Sequence, residues 1–97
     1  MTRVLLRPEA RTDALDAFGY YEQRRPGLGV EFREALDSAF ARIVETPFAH
    51  PIVHRDVHRA LVTRFPYAVF YRVAPDSVII IAILHGRMHP RRVRHRR

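Results

Sequence analysis

A chain of 97 residues, 47% hydrophobic and 10% aromatic, has enough apolar material for one packed core and too much for a disordered chain of its charge. The net charge of +7 is lopsided: residues 1–50 hold seven Arg against eight carboxylates, whereas residues 51–97 hold ten Arg against only Asp56 and Asp76. The absence of cysteine excludes disulfides and thiolate metal sites, the opening MTRVLLRPEA lacks the long apolar stretch of a secretory signal, and the longest apolar run, Val78 to Leu84, is far too short to cross a bilayer.

Within the single cytoplasmic domain that this implies, a short opening strand, TRVLLR, ends at Pro8. Proline suits the first position of a helix, and Glu9 then sits near the positive end of the helix dipole. In PEARTDALDAFGYYEQRR the residues Ala10, Ala14, Ala17, Phe18 and Tyr21 recur at spacings of three and four, which predicts a helix interrupted somewhat by Gly19. RPGLG (Arg25 to Gly29) reads as a turn, with Gly27 and Gly29 both as turn residues. A second helix follows, with Leu28, Phe32, Leu36, Ala39, Phe40 and Ile43 on one face, and it stops before Pro47.

PFAHPIVHRDV has two prolines and no helical period, and reads as a loop. From Val57 to Arg64 the period becomes two, which predicts a strand. YAVFYRV and SVIIIAIL predict two more, and the short links FP and APDS make the three an antiparallel meander. The expected fold is therefore α+β in two layers, β-α-α-β-β-β, with an N-terminal strand and a helical hairpin packed on a mostly antiparallel sheet. Residues 1–90 form the domain, 91–97 (RRVRHRR) read as a flexible basic tail, and the sheet face away from the helices is expected to carry the charge.

Few chemical motifs survive inspection. The histidines at 50, 54, 58, 85, 89 and 95 lack the convergent spacing of a zinc site, no hydroxyl sits in a glycine-framed nucleophile elbow, and GLGVEF lacks the preceding strand and lysine of a phosphate loop. No metal or cofactor is expected. Asp13, Asp16, Glu31, Glu34 and Asp37 read as outward helical carboxylates, solvated or paired with Arg. What remains is a set on or just beyond the meander: Arg59, Arg64, Tyr67, Arg72, His85, Arg87 and His89. Metal-free RNA cleavage needs a base for the 2′-hydroxyl, cations for the phosphorane oxygens and an acid for the leaving oxygen, and His, Tyr and Arg can supply all three. The same residues equally describe an anion-binding face without chemistry.

The helix-and-turn YYEQRRPGLGVEF, the strand pair RALVTRFPYAVFYRV and the strand end LHGRMHP, in this order and spacing over Val4 to Pro90, resemble the RelE/ParE toxins of bacterial type II toxin–antitoxin systems. The resemblance implies the hairpin-on-sheet fold, a cognate antitoxin whose flexible segment wraps the toxin, and one of two targets on a shared scaffold. RelE-like members cut mRNA in the ribosomal A site with basic and acid–base residues on the sheet, whereas ParE-like members poison DNA gyrase. Arg87 occupies the place of the RelE-like arginine after the last strand, and Arg59 and Arg64 fall on the strand that carries basic residues there. The pattern's arginine after the middle-strand tyrosine is Ala68 here, and its tyrosine some six residues beyond the last-strand arginine is Val93. The resemblance thus favours ParE-like inhibition of DNA gyrase, with Arg59, Arg64, Tyr67, Arg72 and Arg87 on a phosphate-binding surface. The alternatives are a nuclease acting on ribosome-bound mRNA, with His85, Arg87 and His89 as catalytic residues, or a non-toxic antitoxin-binding relative.

Overall fold

The computed structural model describes residues 2–86 together with Val93 and Arg96. It contains β1 (Arg3–Leu6), α1 (Pro8–Arg24), α2 (Leu28–Glu45), β2 (Ile52–His54), β3 (Val57–Leu61), β4 (Tyr67–Val73) and β5 (Ser77–His85). The strands form one sheet in the order β1-β5-β4-β3-β2, with β1 parallel to β5 and every other pairing antiparallel. The α+β architecture expected from the sequence is the one observed, with β2 as an addition. That segment reads as a loop in the sequence because Pro47 and Pro51 hide its pattern. Its residues Ile52 and His54 pair with His58 and Val57 of β3 around a tight turn in which Arg55 takes a positive φ of 52°.

Three boundaries differ from the sequence reading, each for a local reason. Helix α1 runs unbroken through Gly19, where an added Cβ would meet nothing within 4 Å, so glycine there answers no steric demand. Only Gly27 needs the left-handed region, at φ 89°; Gly29 already belongs to α2. It is small because α1 crosses there, and a Cβ would stand 2.7 Å from the Phe18 carbonyl oxygen. The first amides of α2 have no side-chain cap of their own. The Glu22 carboxylate supplies it from the other helix, accepting from Gly27 N at 2.9 Å and Gly29 N at 3.0 Å. Strand β3 ends at Leu61, and the hairpin closes through Val62 N to Tyr67 O at 2.9 Å, which puts Arg64 in the turn at φ 72°.

The sheet is apolar on both faces. Toward the helices, Ala17, Phe32, Leu36, Ala39 and Ile43 pack on Ala60, Val69, Tyr71, Val78, Ile80 and Ile83. On the other face, Val57, Ala68, Phe70, Ile81, Ala82 and Leu84 form a second buried cluster with Val93. The register slips between Phe70 and Tyr71, so that Ile81 has no partner in β4. This extra residue places Ile81 and Ala82 in succession on the same side, which strict alternation forbids. The continuous apolarity of β5 thus reflects burial on both faces. The face expected to carry charge has an apolar centre instead.

Candidate functional site

Strand period and register decide where the sequence-selected residues stand. Tyr67 shares its side of β4 with Val69 and Tyr71, in the helix-facing cluster. Its cross-strand partner His85 is beside it, the two rings meeting edge to face with centroids 5.6 Å apart. Arg59 pairs with Phe70 and Arg72 with Ile79, both partners belonging to the cluster on the opposite face. The histidine and the tyrosine therefore lie on one face of the sheet and the two strand arginines on the other. Arg64 joins neither group: from its turn it lies 3.7 Å from Glu31 and extends over the Phe65 ring. Arg87 and His89 lie outside the described residues.

On the helix side, Tyr67 and His85 border a cleft between α1 and the end of the sheet, about 640 Å³ in volume, whose other walls include Tyr20, Tyr21, Arg24 and Leu28. Tyr67 belongs to an aromatic group with Tyr21, Phe32 and Phe65, at centroid separations of 4.9 to 6.0 Å. Arg24 lies over Tyr20 at 5.2 Å. Burial first, then the nearby Tyr20, Asp13 and Asp16, push the Tyr67 phenol above its ordinary range. A phenol so placed is protonated at neutral pH and donates or accepts hydrogen bonds. On the far face, Arg59 is exposed and Arg72 pairs with Asp56 at 3.4 Å, so cations stand at the rim of an apolar strip. Among the described residues, no group of three or more His, Asp or Glu stands close enough to hold a metal ion.

Two features are not singled out by the sequence reading. The first is a groove of about 330 Å³ along the outside of the helical hairpin, lined by Ala14, Leu15, Phe18, Phe32, Arg33 and Leu36, with Leu15 65% exposed. A signal exists, since Leu15 is a large apolar residue off the helix's buried face. The second involves Asp13. Its carboxylate accepts from Ile83 N at 3.0 Å and from both terminal nitrogens of Arg96. Pairing with Arg is one reading of this carboxylate from sequence, but it points inward to the sheet rather than outward to solvent, and only tertiary structure shows that.

Comparison with known proteins agrees with this fold. The family described as "ParE toxin of type II toxin-antitoxin system, parDE" matches residues 4–90. Among solved structures, one described as "Chromosomal ParDE TA system from P. aeruginosa" superposes with a TM-score of 0.77 at 15% identity, covering 88% of this chain and 96% of that one. No curated protein gives a significant match.

Proposed function

The chain belongs to the ParE toxin family of type II toxin–antitoxin systems, and from that premise we propose that it arrests bacterial growth by inhibiting DNA gyrase, without hydrolytic chemistry of its own. The observation that supports this reading is that, of the described residues in the sequence-selected set, Tyr67 and His85 stand on one face of the sheet and Arg59 and Arg72 on the other. Acid–base catalysis at a phosphate needs proton donor, proton acceptor and cations within hydrogen-bond reach of one reacting group. His85 and Tyr67 share the helix-side cleft with Arg24, which lies over the Tyr20 ring, whereas the strand arginines Arg59 and Arg72 face away from it on the other side of the sheet. Ala68 and Val93, standing where the nuclease pattern has arginine and tyrosine, support the same reading.

Neutralisation by a cognate antitoxin in the cytoplasm completes the proposal. The apolar groove at Leu15 and Phe18 gives the apolar part of such a segment a seat, and the excess of Arg in residues 51–97 gives its acidic part a steering field. No helix among the described residues is long and apolar enough to cross a membrane.

The test is expression from a tightly controlled promoter, following DNA double-strand breaks and mRNA cleavage on translating ribosomes in the same culture. Breaks without RNA cleavage, together with inhibition of purified gyrase, are expected. Rapid codon-associated cuts that vanish in His85→Ala would overturn the proposal in favour of the nuclease, and unimpeded growth would favour the non-toxic relative.

A further inference from the structure

We infer that Asp13 anchors Arg96 at the edge of β5 that β1 leaves uncovered, and that Val93 closes the far face of the sheet. Strand β1 pairs only with Ser77 to Ile80, and the chain leaves the sheet where Arg7 N bonds to Ile80 O. Beyond Ile80 the outer edge of β5 passes beneath α1, and Asp13 accepts the amide of Ile83 at 3.0 Å. An edge amide left half-buried and unpaired is costly and invites pairing with another strand, so a carboxylate at this spot is useful. A carboxylate buried this deep, with a side chain only 13% exposed, also needs a counter-charge. Arg96 provides it from the other end of the sequence, its Nη1 on Oδ2 and its Nη2 3.3 Å from Oδ1, as a two-point contact.

The second grip is three residues earlier. Val93 is fully buried against the cluster that contains Val57, Phe70 and Leu84, and Arg96 N bonds back to Val93 O at 3.0 Å. Val93 and Arg96, joined by this backbone bond, thus hold β5 from both sides, the valine on the far face and the arginine on the edge. Val93 is the single apolar residue in RRVRHRR, a segment that reads from its sequence as a free tail. A solvated basic tail has no use for a buried valine, whereas a two-sided apolar strand does. Asp13 is on this account a positioning residue: it fixes where Arg96 meets the edge of β5.

Amide hydrogen exchange on the intact chain tests this. In Arg96→Ala and in Asp13→Asn the amide of residue 96 should lose about tenfold or more of its protection, and the double variant should lose no more than either single one. Ile83 should stay protected in both, because the asparagine side chain keeps an oxygen for its amide, and should be exposed in Asp13→Ala. Arg96→Lys should recover part of the protection. Unchanged protection at residue 96 in Arg96→Ala, or losses that add in the double variant, would overturn the inference. If the Asp13 variants fail to fold, the comparison of wild type, Arg96→Lys and Arg96→Ala decides it, with equal protection in all three counting against the anchor.

Discussion

Tyr67 and His85 face each other across β4 and β5 with ring centroids 5.6 Å apart, on the helix side of the sheet, while Arg59 and Arg72 stand on the other side. The pair forms the end wall of a cleft and holds aromatic groups together. Burial, above all, holds the Tyr67 phenol above its ordinary pKa range.

Tyr67→Phe should accordingly leave growth inhibition within about twofold of wild type, since the ring supplies the packing and the hydroxyl supplies no base. A drop of about a hundredfold with unchanged thermal stability would mean that the hydroxyl takes part in chemistry.

Arg59→Ala removes an exposed cation and should change stability by no more than about 0.5 kcal/mol. Arg72→Ala also loses its pair with Asp56 at 3.4 Å, at a cost of about 0.5 to 1 kcal/mol. If the far face binds nucleic acid bound to gyrase, both variants should weaken inhibition of supercoiling and flatten its dependence on salt. Identical salt slopes for wild type and both variants would remove that face from the interface.

Gly29→Ala should destabilise the fold by about 2 to 4 kcal/mol, because the new methyl group would meet the Phe18 carbonyl oxygen at 2.7 Å and the Glu22 carboxylate at 2.9 Å. Glu22→Ala, which uncaps α2, should cost about 1 to 2 kcal/mol. Denaturant melts of the two variants and of wild type check both values. Gly19→Ala, with open space around it, should be neutral or slightly stabilising.

Tyr71 gives the stability curve an alkaline limb. Its ring is fully buried, its hydroxyl donates to Pro47 O at 2.6 Å, and burial pushes its pKa up to about 12. The folded state holds this proton more tightly than the unfolded chain, whose tyrosine titrates near its ordinary value of about 10. Unfolding therefore releases a proton between these values, and stability should fall as pH rises from about 10 to about 12, by on the order of 1 kcal/mol per pH unit. Tyr71→Phe should be less stable at neutral pH through loss of the hydroxyl bond and should lack this part of the alkaline decline. An equally steep decline in Tyr71→Phe would place its origin in other groups.

The sequence by itself determined the helical hairpin, the meander and their order, because these are written in spacing: three and four for the helices, two for the strands, and proline or glycine at most of the joins. The continuous apolarity of SVIIIAIL places β5 in the middle of the sheet, but the burial of its second face shows only in the tertiary structure. The sequence did not determine which face each polar residue would take relative to the others. That depends on register, and register was set by pairings between distant segments, by an unpaired Ile81 and by a turn that claimed Arg64. Nor could spacing reveal that Asp13 meets Arg96, 83 positions away, or that Val93 has a core to enter. Local pattern records what each segment needs to bury. Which charges meet is decided only when the sheet has formed and its edge and far face are covered.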